Sequence, residues 1–205
     1  MRWLALFFFI AFGSAALADS PLTSTKFYAA YGDQPIVVLA ESTKVLDEAM
    51  AQYLSNPKNS IDCKAALVNA LGWNADGQGN CKAYRQFLAK RYKTKEDALR
   101  LSELTPDEVF ALGYLTAMDD YFHTERAANI LSRAAERNPT SFTVAMILAV
   151  TRAQDVDDWS EIWPLVDGVL KNQKLRFDMR PEARDLILEY MKLYQEYSGT
   201  PYLAG

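Results

Sequence analysis

Histidine is nearly absent from this chain, because His123 is the only one among 205 residues. A zinc site built from several histidines is therefore excluded, and no G-x-S-x-G or other nucleophile motif is present. Asp119 and Asp120 precede His123, so a general base or half of a metal site is one interpretation. The other, which we favour, is a cationic histidine at a helix end, where the helix dipole stabilises it. The sequence thus predicts no catalytic, cofactor-binding or metal site.

Long apolar runs are limited to one, at the beginning of the chain. Residues 3–12 follow Arg2 and are all apolar, and Ala16-Leu17-Ala18 fits a small-x-small cleavage site. The run is shorter than the roughly 20 residues that a membrane span needs. We therefore predict a signal peptide at residues 1–18, export to the periplasm or the extracellular space, and no stable membrane insertion once it is removed. An uncleaved anchor is the alternative.

Cysteine is also scarce, with only Cys63 and Cys81. Export would place both residues in an oxidising compartment, so a disulfide between them is predicted. A loop of this size would gain roughly 3 kcal/mol from the bond in the chain-entropy model. The alternative is a catalytic thiol, which would need a nearby base such as His123.

Positive charge is in the minority. Without Arg2, 21 of the 22 basic side chains remain against 26 acidic ones, a net charge near −5. Nucleic acid and anionic lipid both require clustered positive charge, so neither is expected as a partner. About 187 residues follow the predicted signal peptide, enough for one compact domain over residues 19–205.

Strand and hairpin signals are missing as well, and apolar residues recur at helical spacing, so the predicted fold class is all-α. We expect antiparallel helical hairpins, stacked either as a repeat array or as an irregular bundle. The predicted helices cover residues 25–31, 34–55 with a possible break near Ser42-Thr43, 60–72, 81–92, 98–104, 105–123, 124–138, 140–153, 159–172 with a kink or late start at Pro164, and 181–199.

The strongest signal predicts two helices folded back on each other over residues 105–139. Thr105 can cap the first helix, Pro106 suits its first position, and Glu108 can reach back to the cap. From residue 109 to 118 almost every side chain is apolar or small, so this helix should be buried on more than one side. Thr124 caps the second helix, and Asn138-Pro139 ends it.

This hairpin resembles a unit of the tetratricopeptide repeat family. The matching residues are Ala127, Leu131, Ala134 and the turn Asn138-Pro139. The first helix departs from the pattern, since Ala111 replaces the family's Trp and Leu115 its Gly. With a second degenerate unit, in which Leu148-Ala149 takes the Leu-Gly positions, the resemblance covers residues 108–173. It implies stacked helix pairs with a concave surface that binds peptides or proteins, and no catalysis.

The chain would then consist of an N-terminal helical part, 19–104, holding the disulfide, and a repeat-like part, 105–205. An ordinary helical hairpin with a proline turn is the alternative to a true repeat.

Two patterns in the N-terminal part are weak candidates for chemistry. Oxygen ligands alternate in the loop Asn74, Asp76, Gln78 and Asn80, but the register of a calcium loop leaves its first and last positions without carboxylates. Glu41-Ser42 after an apolar run resembles the catalytic pair of helical lytic transglycosylases, yet the other motifs of that family are missing. We interpret the loop as a turn and Glu41 as a solvated helix residue.

Aromatic side chains offer a better candidate. Trp159 and Trp163 are predicted to share one helix face, and Tyr190, Tyr194 and Tyr197 another. Aromatic clusters often anchor interfaces, so Trp159, Trp163, Tyr190 and Tyr194 form the predicted binding face. The alternative is that they fill the helical core.

The sequence therefore favours an exported, non-enzymatic helical protein that binds a protein or peptide, or acts as a scaffold. The alternatives are an exported, carboxylate-based hydrolase of the glycosidase type and a small-ligand carrier with a cavity between helices. The oligomeric state is not predicted.

Overall fold

The structure is a computed structural model that describes residues 20–73 and 77–199. The predicted signal peptide lies outside the described residues, and so do Asn74 and Asp76 of the predicted turn. The described ranges contain ten α-helices and no β-strand, which confirms the all-α prediction. The helices are α1 Pro21–Ser24, α2 Pro35–Thr43, α3 Glu48–Ser55, α4 Ile61–Leu71, α5 Asn80–Arg91, α6 Pro106–Asp119, α7 Glu125–Arg137, α8 Phe142–Ala153, α9 Ile162–Leu170 and α10 Pro181–Met191.

Short 3₁₀ turns replace helix at several places. They are Phe27–Tyr31, Glu96–Ala98, Leu101–Glu103, Trp159–Glu161, Lys192–Tyr194 and Glu196–Ser198. The predicted helix 34–55 is divided into α2 and α3, because Lys44 takes a left-handed conformation with φ 58°. The predicted helix 98–104 is absent, and two of the 3₁₀ turns take its place. The late start expected near Pro164 is confirmed, since α9 begins at Ile162.

Helix α6 lies at the centre of the molecule, as its all-apolar sequence predicts. The Thr105 hydroxyl accepts a hydrogen bond from the backbone of Glu108, and the Glu108 carboxylate accepts one from the backbone of Thr105 at 2.9 Å. This confirms the predicted capping box. Residues from Glu108 to Leu115 are all buried, because α3, α4, α5 and α7 pack around the helix.

Consecutive helices in the C-terminal half are neighbours in space: α6 packs on α7, α7 on α8, and α8 on α9. Helix α10 instead crosses to the N-terminal turn Phe27–Tyr31, where Arg180 donates to Asp33 at 3.0 Å and stacks 4.5 Å above the Tyr31 ring. The buried side chains of both halves form one continuous hydrophobic core.

Helices α6 and α7 pack closely at Gly113. A Cβ atom on this residue would be 2.9 Å from Cγ of Leu131, closer than packed atoms tolerate. Ala127, Leu131 and Ala134 on α7 are all buried, as predicted.

The predicted disulfide is not present, since Cys63 and Cys81 are both free thiols. Lys64, next to Cys63, pairs with Asp107 near the start of α6, whereas the Cys81 sulfur is 3.2 Å from the Thr116 hydroxyl near its end. About 13 Å of helix separates these two contact points. A disulfide needs Cα atoms within about 7 Å. The disulfide was predicted from the expected oxidising compartment, which carries no information about the distance between the two cysteines.

Candidate functional site

The four residues of the predicted binding face do not share one surface. Trp163 is buried in the core with 1% of its surface exposed, whereas Trp159 is 54% exposed. A spacing of four residues puts two side chains on one face only within a continuous α-helix. Here Trp159 belongs to a 3₁₀ turn and Trp163 to α9, so the two indoles diverge.

Three of the four residues do come together, and a fourth aromatic residue joins them. We call Trp159, Tyr190, Tyr194 and Tyr197 the aromatic patch. The Trp159 ring centroid is 5.9 Å from that of Tyr194 and 5.2 Å from that of Tyr197, with nearly perpendicular planes. The hydroxyls of Tyr190 and Tyr194 are 3.1 Å apart, within hydrogen-bond distance. The helical spacing of Tyr197 to Tyr190 and Tyr194 in the sequence already indicated that it lies on their side.

The aromatic patch has a buried base and an exposed rim. Tyr194 is buried, and its edge-to-face contact fixes Trp159 from below. Trp159 and Tyr197 are about half exposed, and the neighbouring Leu193 is 59% exposed. Large apolar side chains that are both held in place and open to solvent lose little conformational entropy when a partner covers them.

Acidic side chains flank the aromatic patch. Asp157, Asp158 and Glu161 accompany Trp159, and Glu196 precedes Tyr197; all four are exposed. Hydrogen bonds from Ser160 hold the pKa of the Asp158 carboxyl below its usual range, so this group stays ionised. Together these groups favour a ligand that is apolar and positively charged.

The other residues considered from the sequence are dispersed. The His123 ring is 84% exposed and lies 3.1 Å from Asp120, in the turn after α6. Glu41 is exposed on α2 and accepts a hydrogen bond from Tyr28. Asn80 is buried, where its side chain accepts from Leu46 at 2.8 Å and donates to the Lys44 carbonyl at 3.1 Å. Across residues 20–73 and 77–199, no three His, Cys, Asp or Glu side chains form a group that could hold a metal ion.

Two concave regions bear on the alternative functions, a hydrolase and a small-ligand carrier. A groove of about 510 Å³ between α3 and α5 is lined by one carboxylate, Glu48, and by two cations, Lys90 and Arg91. A glycosidase needs a pair of carboxylates across its cleft, and the described residues of this groove do not supply one. A smaller cavity of about 230 Å³ lies between the N-terminal segment and the end of α4.

Comparison with known protein families, with curated proteins and with solved structures finds no significant match to this chain. In the part of the chain that the structure describes, every helix is too short or too polar to cross a membrane.

Proposed function

We propose that this protein is an exported, non-enzymatic helical protein that binds a segment of a partner protein at the aromatic patch. The observation that carries this proposal is the half-exposed Trp159, fixed by the buried Tyr194 and extended by Tyr197. The partner segment combines apolar residues with lysine or arginine.

The chemistry of the patch supports that partner class. Tryptophan and tyrosine are the residues that most often dominate binding energy at protein interfaces. Their ring faces also attract lysine and arginine through cation–π contacts. The carboxylates of Asp158, Glu161 and Glu196 add long-range attraction for the same groups, and they disfavour acidic competitors.

The arrangement of the C-terminal helices supports a repeat-like scaffold for this site. If the turn between α6 and α7 is allowed two extra residues, Leu112-Gly113 takes the Leu-Gly positions of the tetratricopeptide pattern, and Leu131 lies against that glycine. Small residues at these positions let helix pairs stack closely. We therefore propose that residues 108–173 form two degenerate repeats. Trp159 of the aromatic patch belongs to the second repeat, and its three tyrosines follow that repeat.

The test is binding of labelled ten-residue peptides to the purified protein. The peptides share an apolar centre flanked by arginine, by glutamate or by serine. We expect the arginine peptide to bind best, and Trp159→Ala to weaken it about 30-fold, as loss of an interface anchor does. Phe122→Ala removes an equally exposed aromatic side chain elsewhere and serves as the matched control.

Raising the salt concentration should weaken the binding of the arginine peptide more than that of the serine peptide. The reason is that the flanking carboxylates are exposed to solvent, where salt screens their charge. Equal binding of all three peptides, or equal losses in Trp159→Ala and Phe122→Ala, would contradict the proposal. If the chain's own C-terminus covers the aromatic patch, deletion of residues 200–205 should increase binding of the arginine peptide.

A further inference from the structure

The 230 Å³ cavity is lined by residues from five segments. Lys26 and Tyr28 come from the N-terminal segment, Lys44 from the end of α2, Asn69 and Trp73 from α4 and the residues after it, Gln78 from the residues before α5, and Met118 from α6. Its volume equals that of about eight waters, so it fits a small molecule rather than a drug-sized ligand. The lining residues combine aromatic and thioether side chains with two lysines, of which Lys26 is exposed.

Lys44 is held in place at one side of the cavity. Its ammonium donates to the carbonyl of Ala70 at 2.8 Å and lies 5.5 Å from the centre of the Tyr28 ring. An ammonium has three donors, so two remain without a partner among the described residues. The backbone of Lys44 has φ 58°, a conformation that favours glycine, yet a lysine occupies the position. This conformation ends α2, where the backbone N–H of Lys44 donates to the carbonyl of Ala40.

The charge balance of the cavity favours an anion. Neither Lys26 nor Lys44 forms an ion pair with any carboxylate in the described ranges. Two groups oppose an anion. Glu41 is bound by the Tyr28 hydroxyl, and the carbonyl end of α4 carries partial negative charge. The two lysines carry two positive charges against the one carboxylate of Glu41 and the partial charge of the helix end, so a net positive charge remains.

An exposed aromatic surface continues from the cavity. Trp73 lines the cavity and packs 4.4 Å from the Tyr121 ring, which in turn lies 4.1 Å from the Phe122 ring. Trp73 and Phe122 are 38% and 60% exposed. A ligand with its charged end in the cavity therefore finds apolar surface for the rest of its body.

We propose that this cavity binds a small organic carboxylate through the ammonium groups of Lys26 and Lys44. The apolar body of the ligand lies against Trp73 and Met118. The carboxylate belongs either to a free acid or to the C-terminal residue of a peptide, which present the same chemistry to the two lysines. This site is separate from the aromatic patch and does not depend on it.

Calorimetric titration tests the proposal with four probes. They are 3-phenylpropionate, its neutral amide, acetyl-Ala-Ala-Phe with a free C-terminus, and the same peptide amidated. We expect each carboxylate to bind at least tenfold more tightly than its amide, since hydrogen bonds to charged groups are the stronger ones. Tighter binding of the peptide acid identifies a C-terminal residue as the ligand, and tighter binding of phenylpropionate identifies a free acid.

Lys44→Gly is the informative variant, because glycine suits the backbone conformation while the ammonium is lost. Lys93→Gly is its matched control, since Lys93 also has positive φ, 52°, and lies outside the cavity lining. We expect Lys44→Gly to lower the affinity for 3-phenylpropionate about tenfold or more. Lys93→Gly and Trp159→Ala should leave this affinity unchanged. Equal binding of acid and amide, no binding of either acid, or equal losses in the two glycine variants would overturn the proposal.

Discussion

Lys64 is fully buried, and its ammonium pairs with Asp107 at the start of α6. Burying a charge is tolerated only while its partner is present, because the interior cannot replace water around the ion. We expect Asp107→Ala to lower the free energy of unfolding by about 3 kcal/mol, since it leaves the ammonium uncompensated. Urea denaturation measures this loss.

The double variant Lys64→Met with Asp107→Ala provides the control for that experiment. It removes both charges and keeps an apolar side chain of similar length, so it should recover most of the lost stability. A double variant as unstable as Asp107→Ala alone would show that the loss comes from packing and not from the unpaired charge.

Asp33 is a second charged residue that contributes to the stability of the fold, although it is exposed. The Arg180 guanidinium lowers the pKa of this carboxyl from 3.8 to about 2. A lowered pKa in the folded state means that the ionised form stabilises the fold above pH 3.8 and that this contribution disappears as the pH falls toward 2.

We therefore expect Asp33→Asn to be less stable than the natural protein at pH 7, with the difference shrinking as the pH is lowered from about 4 to about 2. Urea denaturation at several pH values measures the difference. Asp97→Asn removes another exposed carboxylate, one that forms no ion pair among the described residues, and serves as the matched control. A constant difference for Asp33→Asn over this range would contradict the assignment.

At the scale of elements, the approach of α6 to α7 depends on Gly113. Alanine there would place its Cβ 2.9 Å from Leu131 and 3.1 Å from Ile130, so these side chains or the helices that carry them must shift. We expect Gly113→Ala to cost about 1–3 kcal/mol of unfolding free energy despite the better helix propensity of alanine. Thermal or urea denaturation measures the loss.

Gly168 in α9 is the matched control, because a Cβ there would meet nothing within 4 Å. Gly168→Ala should stabilise the protein by about 0.5–1 kcal/mol, as alanine does in an unobstructed helix. The two substitutions should change the free energy of unfolding in opposite directions. The comparison therefore separates the effect of packing from that of helix propensity. Stabilisation by Gly113→Ala would show that the helices do not meet at this residue.

Features set by neighbouring residues could be predicted from the sequence, and features set by distant ones could not. The capping box of Thr105 and Glu108 and the end of α7 at Asn138 follow from local chemistry, and both are as predicted. The divergence of Trp159 and Trp163 depends on a change from 3₁₀ to α-helix that the core imposes on the chain. The cavity beside Lys44 joins segments far apart in the sequence, so no local pattern indicated it.

At the scale of the whole molecule, the core holds the fold without a disulfide between Cys63 and Cys81. Burial raises the pKa of both the Cys63 and the Cys81 thiols, which keeps them in the unreactive protonated form. We expect a reducing agent to leave the melting temperature unchanged, and Ellman's reagent to react with both thiols only after unfolding. A lower melting temperature on reduction would mean that the two cysteines do form a bond.

The contact of Arg180 with Asp33 joins positions 147 residues apart. A chain emerging from the ribosome can pack its Phe27–Tyr31 turn against α2 and α4, but α10, the other helix that covers this turn, is made only near the end of synthesis. Loop closure over such a distance is slow, and the late step is the one that completes the core around Tyr31. The last helix to be synthesised is therefore the one that closes the N-terminal end of the core.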